Sequence, residues 1–418
     1  MNPITSEELR TGESDLREMV ARVLSGQLEK EKTAWRMEVA GEYSATDTAP
    51  LPASRSERQK LREAAFRSAI PNGSLFNAYD TTGGAARLSV GRILGSGANG
   101  IVCRVQDTSV SSRAVDYAGK FFVRHLAPGS SQSIQDALSE LTQSVEKETA
   151  ANALLLERAA LGDLLEHGIA VSHGLCTLIS THPQDTKLPS PWLSSPDEVS
   201  SKGRLVIGEK VLLMPLLGPA LTKFWSKAMS DEALKYLVYT LVKTVSYLHG
   251  LGLAHRDVKL SNFVVDSRGK LFLIDYGFVT KMGDTAFCGK GAPPSYMDPH
   301  RAQCILNGED EIVVSEHWDS WSLGVTIVKL LCDGEKPFRF EFPDRKLQDL
   351  VKNKTYLREF LQKFLKALER DKFVGDSCPF LTQERKKLLS IAMLLLDPQE
   401  GTRWTVRQLE QGHPFFLT

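Results

Sequence analysis

The sequence has no excess of either charge, because 51 basic residues balance 51 acidic ones. That gives no general attraction to nucleic acid or to an anionic membrane, and no nucleic-acid partner is expected. It also has no C-x-x-C pair. Its six cysteines are Cys103, Cys176, Cys288, Cys304, Cys332 and Cys378, and their shortest gap is sixteen residues. That spacing argues against a zinc site. The cysteines read as scattered, reduced thiols, some in apolar surroundings such as Leu330-Leu331-Cys332, and not as a disulfide scaffold. No apolar run reaches eighteen residues, so no transmembrane segment is expected. Met1-Asn2-Pro3-Ile4-Thr5 has no basic-then-apolar signal region, and no internal repeat is visible. What is there is an ordinary globular composition, 42% apolar and 24% charged, in 418 residues. That length allows a catalytic unit plus an extension.

Residues 1 to about 40 read as one helix. Thr5 with Glu8 fits a capping box. Leu9, Leu16, Met19, Val20, Val23, Leu24 and Leu28 recur at helical spacing. The other face mixes acids and bases, which favours packing on a neighbouring lobe or partner over lying on a membrane. Residues 41–54 read as a linker, Ser56 to Ala69 as a second short helix, and Pro71-Asn72-Gly73 as a turn. From about residue 85 the pattern changes to strands: Leu88 to Leu94, Ile101 to Val105, Tyr117 to Val123, Leu175 to Ser180 and Val206 to Met214. A helix is expected from about Ile134 to Leu165, and Thr181 to Gly203 reads as a surface loop. After residue 216 helices dominate: Asp231 to His249, Trp318 to Cys332, Thr355 to Leu368, Gln383 to Leu396 and Thr405 to Gln411. A small strand-rich part followed by a larger helical part is an α+β pattern. The segments are 1–84 (helical extension and linker), 85–215 and 216–418.

The chemistry concentrates in His255-Arg256-Asp257-Val258-Lys259-Leu260-Ser261-Asn262, followed by Asp275-Tyr276-Gly277. Asp257 can take a proton from a hydroxyl or orient it. Lys259 can reach a transferring phosphate. Asn262 and Asp275 offer hard oxygen ligands suited to Mg2+, which binds through few protein groups and keeps several waters. Between Asp257 and Asp275 a β-hairpin fits, with the turn Asp266-Ser267-Arg268-Gly269. Upstream, Gly95-Ser96-Gly97-Ala98-Asn99-Gly100-Ile101-Val102 brings backbone N–H groups close to phosphate oxygens. A dinucleotide-binding turn shares the G-x-G-x-x-G pattern, but it needs a helix directly after the glycines, and here a β-type run follows. Lys120 lies in an apolar strand with Ala118, Phe121 and Phe122, where an unpaired charge is costly. Its partners are expected to be nucleotide phosphates and a helix glutamate. Glu140, Glu146 and Glu148 are all candidates. Glu148, followed by Ala151 and Leu155 at helical spacing, is preferred, with Glu146 second.

These motifs resemble the eukaryotic protein kinases over roughly residues 88 to 418. Ser295-Tyr296-Met297-Asp298-Pro299-His300 is similar to S-Y-M-A-P-E. Asp319-Ser320-Trp321-Ser322-Leu323-Gly324 is similar to D-x-W-S-L-G. Asp397-Pro398, Arg403, Trp404-Thr405 and His413-Pro414-Phe415-Phe416 resemble the closing pattern of that family. Asn72-Gly73-Ser74-Leu75-Phe76, the Leu212-Leu213-Met214-Pro215 hinge and an insertion before Asp319 resemble the rhoptry kinases of coccidian parasites. The resemblance implies a bilobal kinase fold, with a β-rich N-lobe and a helical C-lobe. It implies transfer of the ATP γ-phosphoryl group to Ser or Thr of a protein substrate, with Mg2+. By it, ATP is held by Leu94, Gly95, Ser96, Gly97, Ala98, Asn99, Gly100, Val102, Ala118, Lys120, Met214, Leu216 and Val264. Catalysis is expected from Asp257, Lys259, Lys120 and Glu148, and metal binding from Asn262 and Asp275. It further implies a rhoptry protein secreted into a host cell, with host proteins as partners. The alternative is a pseudokinase serving as a nucleotide-binding scaffold or allosteric regulator.

Two departures stand out. His300 occupies the place of the A-P-E glutamate, which leaves Arg403 in need of a partner. About three extra residues surround Lys290-Gly291-Ala292-Pro293, with no evident threonine at the peptide-docking turn. Thr285 is the candidate phosphosite, with Arg256 to receive its phosphate.

Overall fold

The computed structural model describes residues 1–42, 53–80, 82–97, 100–109, 115–126, 132–180, 192–193, 204–333, 342, 353–368, 378 and 381–417. Contacts divide the chain into two units. One comprises Pro50–Glu157 and Ala170–Leu216; the other comprises Met1–Ala49, Arg158–Ile169 and Leu217–Thr418. The segment read as an N-terminal extension is thus shared between them.

The first of these units is a seven-stranded antiparallel sheet: β1 (Leu75–Asp80), β2 (Ala85–Ser96), β3 (Gly100–Asp107), β4 (Val115–Leu126), β5 (Gly174–Ser180), β6 (Trp192–Leu193) and β7 (Arg204–Pro215). The spatial order is β4-β3-β2-β1-β5-β7-β6, and a β4–β7 pairing bends the sheet back on itself. Strand alternation in β4 decides what covers each face. Phe121 and Val123 join a core with Phe66 and Ile70 of a helix at Ala53–Ala69. Phe122 faces the other way, against Ala137 and Leu141 of the helix Ile134–Arg158. Lys120 has the parity of Phe122, so it too points towards that helix. Strand β1 lies ten residues before the expected start of strands at 85. Its burial pattern leaves only Phe76 and Ala78 inside, which gives the strand little apolar signal in the sequence.

The other unit is helical. Its helices and those above are numbered together: α1 (Ser6–Leu24), α2 (Gln27–Glu42), α3 (Ala53–Ala69), α4 (Ile134–Arg158), α5 (Leu161–Glu166), α6 (Asp231–Gly250), α7 (Pro299–Asn307), α8 (Glu316–Leu331), α9 (Lys354–Leu368), α10 (Gln383–Leu395) and α11 (Val406–Gly412). The single helix expected over residues 1–40 is two helices. Gly26 has φ 74°, left-handed backbone that ends α1. The capping box of Thr5 and Glu8 is present. Leu16, Met19 and Val20 are buried, and α1 packs along α6. Gly12 lies at that contact: a Cβ there would come within 2.4 Å of the Glu232 carbonyl oxygen. Lys235 of α6 reaches Glu8 at 3.0 Å and Glu384 at 3.4 Å. Three two-stranded sheets complete this unit: β8 (Leu253–Ala254) with β11 (Thr280–Lys281), the hairpin β9 (Phe263–Val265) with β10 (Leu271–Leu273), and β12 (Thr285–Phe287) with β13 (Glu311–Val313). The linker 41–54 and the loop 181–203 lie mostly outside the described residues.

The cysteines overturn the expectation of scattered, reduced thiols. Cys288 is bonded to Cys304 and Cys332 to Cys378, while Cys103 and Cys176 stay free and buried. Sequence spacing carried no hint, because each bond joins residues brought together only by tertiary folding. No described helix is long and apolar enough to cross a membrane.

Candidate active site

In the sheet unit, Lys120 is joined to Glu148, and both are buried. Register explains how: Lys120 pairs with Val102 of β3 and with Leu212 of β7, so its side chain stands over α4. Buried Ala137, Leu141, Glu148, Ala151 and Leu155 share one face of α4. Glu146 is exposed, and Glu140 pairs with Arg124 at 2.6 Å. Asn152, one turn on from Glu148, donates to the Glu148 carbonyl and accepts from the Ser172 N–H, both at 2.8 Å. It fixes the end of the helix segment that carries the glutamate.

The glycine-rich turn joins β2 to β3. Leu94, Gly95 and Ser96 end β2, and Gly97 donates to the Gly100 carbonyl at 2.9 Å. Ala98 and Asn99 lie outside the described residues. A Cβ at Gly100 would press to 2.8 Å from the Phe121 carbonyl oxygen. At Gly95 and Gly97 a Cβ would meet nothing within 4 Å. Protein packing therefore accounts for Gly100 but not for the other two, which leave backbone open to an approaching ligand. Arg62 of α3 donates to Ser96 Oγ at 2.8 Å and holds the turn from outside. Gly95 pairs with Val102, and Ala118 with Met214. Leu216 follows β7 and is partly buried.

In the helical unit, Asp257 is 3% exposed. Its Oδ2 accepts from Lys259 Nζ at 2.6 Å and from Asn262 Nδ2 at 3.1 Å. Its Oδ1 is buried with no hydrogen-bond partner among the described residues. Burial raises the Asp257 pKa above the usual carboxylate value, against the pull of Lys259. Asn262 Nδ2 also donates to the Asp257 carbonyl at 2.8 Å, which turns its amide oxygen away and leaves it for a cation. The β9–β10 hairpin returns the chain so that Ile274 N–H meets the Asn262 carbonyl at 2.9 Å. Asp275, the next residue, has φ 68°. A left-handed non-glycine residue there is held by its surroundings. Among the described residues no cluster of three or more His, Cys, Asp or Glu could hold a metal. One carboxylate and one amide nonetheless fit Mg2+, which takes its other ligands from water and phosphate. Val264 is buried in β9.

The loop geometry traces to a residue whose role the sequence did not reveal. Asp319, fully buried in α8, accepts the His255 N–H at 2.6 Å, the Arg256 N–H at 2.7 Å and His249 Nε2 at 3.1 Å. Burial pushes its pKa up, but these partners outweigh burial and hold it below the usual value. The grip stabilises Arg256 at φ 65°. Asp257 N–H donates to His255 Nδ1 at 3.3 Å, so His255 Nε2 carries the proton facing the Ile274 carbonyl at 3.2 Å. Burial lowers the His255 pKa, which keeps that neutral form. The Tyr276 hydroxyl donates to the Leu273 carbonyl, and its ring meets His255 edge-on at 5.5 Å.

The expectation for Thr285 needs correction, and Arg403, left in need of a partner by the sequence, finds one other than His300. It pairs with Asp298, two residues earlier, and both are buried. His300 is instead half exposed beside Glu400, at 3.0 Å. Against the S-Y-M-A-P-E pattern, the carboxylate missing at 300 is supplied at 298, in Met297-Asp298-Pro299. Thr285 does not meet Arg256. Its hydroxyl donates to Glu311 at 3.3 Å on an exposed strand, where a phosphate would face a carboxylate.

The protein kinase domain family matches residues 209–416. A curated relative from Encephalitozoon cuniculi, a probable cAMP-dependent protein kinase catalytic subunit, is 25% identical over 214 residues. The alignment covers 50% of this chain and 56% of that protein, so the chain spans little more than half of its relative's length. Among solved structures, the ROP18 kinase domain in complex with AMP-PNP and sucrose aligns with TM-score 0.59 and 18% identity, over 96% of this chain and 93% of the other. ROP2 from Toxoplasma gondii, a virulence factor with a protein-kinase fold and no enzymatic activity, aligns with TM-score 0.64 and 13% identity, over 96% and 94%. At these identities the likeness to rhoptry kinases is one of fold. The chain contains a protein kinase domain, and its fold is the mixed α+β protein kinase fold with N-terminal helices and a β-rich lobe.

Proposed function

We propose that this protein transfers the γ-phosphoryl group of ATP to a serine or threonine of a protein substrate. The observation that carries this reading is the asymmetry of Asp257. One carboxylate oxygen is tied to Lys259 and Asn262, and the other is buried and free to take a hydroxyl hydrogen. The substrate oxygen bonds to the γ-phosphorus as the bond to the ADP oxygen breaks, and the hydroxyl proton passes to Asp257. Lys259 lies against the same carboxylate and stabilises the charge that develops on the phosphoryl oxygens. Lys120, fixed by Glu148, holds nucleotide phosphates, and the open backbone at Gly95 and Gly97 receives them. Asn262 and Asp275 would hold Mg2+, which when bound would neutralise phosphate charge.

The acceptor class follows from Lys259, which by family resemblance marks Ser/Thr rather than tyrosine acceptors. Two disulfides support a route through an oxidising compartment. With the fold likeness, that supports a secreted rhoptry effector acting on host proteins. The test is phosphate transfer from Mg-ATP to a generic Ser/Thr protein by the wild type and by Asp257→Ala. Transfer lost in the variant supports the enzyme. Nucleotide binding without transfer in the wild type would favour the scaffold reading instead.

A further inference from the structure

Activation segments are commonly ordered by a phosphate that pairs with arginine. Two arginines beside this segment, Arg301 and Arg256, donate to its backbone carbonyls. Arg301, 1% exposed in α7, donates from Nε and Nη2 to the Cys288 carbonyl at 3.2 and 2.8 Å. Its Nη2 also donates to the Lys290 carbonyl at 2.7 Å. Arg256 donates from Nη2 to the Lys290 and Phe287 carbonyls at 3.3 and 3.4 Å, and from Nη1 to Thr280 Oγ1 at 2.9 Å. The buried Arg256 Nε lacks a partner among the described residues, one N–H where a docked phosphate takes a bidentate pair. Both guanidinium groups lie over Trp318, at 4.7 and 5.4 Å from its ring.

Helix α7 grips Cys288 a second time. Cys304 is three residues beyond Arg301, on the same face of the helix, and its sulfur is bonded to Cys288. The guanidinium thus takes the carbonyl of Cys288 while the disulfide takes its side chain. The helix itself is anchored, because Asp298 caps its N-terminus and pairs with Arg403. The Ala292 N–H closes the segment onto the Arg256 carbonyl at 2.7 Å.

We infer that Arg301, with the Cys288–Cys304 bond, holds residues 288–292 in the substrate-docking conformation in place of an activation-segment phosphate. Arg301 is a positioning residue for the protein substrate, and transfer does not require prior phosphorylation of the segment. The inference rests on the kinase reading above for its kinetic consequence, but not for its structural one.

The test uses the full chain with its disulfides intact. Wild type treated with phosphatase, with removal checked by intact mass, is expected to keep its turnover within about twofold. Arg301→Met is expected to raise KM for the protein substrate at least about tenfold, with KM for ATP within about twofold. Arg301→Lys, which retains a charge but loses the fork, should fall between. Amide exchange supplies a readout independent of activity, and serves if Arg301→Met does not fold. In Arg301→Lys and in Cys304→Ser, exchange at Cys288, Lys290 and Ala292 should accelerate while Ile274 is unchanged. Loss of activity on phosphatase treatment, or unchanged exchange at 288–292 in Arg301→Lys, overturns the inference. An inactive wild type whose exchange responds as described would count against the proposed function and leave the clamp standing.

Discussion

Asp298 and Arg403, 105 residues apart in sequence, form an ion pair in which neither side chain reaches solvent. The same carboxylate caps α7 by accepting the His300 and Arg301 N–H groups at 2.8 and 3.2 Å. Arg403 also donates to the Asp397 carbonyl at 2.6 Å. Removing one partner leaves a buried charge without its counter-ion, which costs about 3–5 kcal/mol. Asp298→Ala and Arg403→Ala are therefore expected to lose stability of that order in urea unfolding. His300→Ala breaks only an exposed pair and should change stability by less than about 1 kcal/mol. The reverse ranking would restore His300 as the structural partner.

Thiol counting tests the disulfides. Denatured without reductant, the protein should expose two reactive thiols, Cys103 and Cys176, and after reduction all six. Six thiols before reduction would contradict the structure. The two bonds span 16 and 46 residues, so loop entropy assigns each about 3–4 kcal/mol, and reduction should lower the unfolding midpoint accordingly.

Gly12 gives a prediction with an unusual sign. Replacing a mid-helix glycine by alanine ordinarily stabilises by up to about 1 kcal/mol. Here the added Cβ would lie 2.4 Å from the Glu232 carbonyl oxygen and 2.6 Å from Tyr236 Cβ. Overpacking of that kind costs about 1–3 kcal/mol, so Gly12→Ala should lower the thermal midpoint. A higher midpoint would mean that α1 does not dock on α6 as described.

How much the sequence disclosed follows from the range of the interactions involved. Asp257, Asn262 and Asp275 carry their chemistry in local spacing, and the hairpin between them was readable from its turn. Helices α6 and α8–α11 were readable from their periodicity to within about two residues. The break at Gly26 was not, because apolar residues continue on both sides of it. Strand β1 hides in a segment with only two inward residues. The disulfides, the Arg301 contacts and the Asp319 hub join residues far apart in the chain, where local pattern is silent. Asp298 was visible, yet its meaning appeared only with Arg403 beside it.

Burial raises the Asp257 pKa, and the sign for stability follows. A carboxylate whose folded pKa exceeds its unfolded value stabilises the fold while protonated, and that stability is lost as pH rises through the folded pKa. At neutral pH the charged Asp257 therefore opposes folding. Asp257→Asn should keep or raise the thermal midpoint at pH 7, with the gain fading towards acid pH. Transfer by wild type should fall on acidification at a pH above that of an ordinary carboxylate. A lowered midpoint in Asp257→Asn at pH 7 would mean that the contacts to Lys259 and Asn262 outweigh burial.

The most direct test of the central claim is single-turnover transfer from radiolabelled Mg-ATP to a Ser/Thr protein substrate, comparing wild type with Asp257→Ala at equal nucleotide occupancy. The account predicts labelled phosphoserine or phosphothreonine with the wild type and background with the variant. Equal labelling by the two proteins would contradict it.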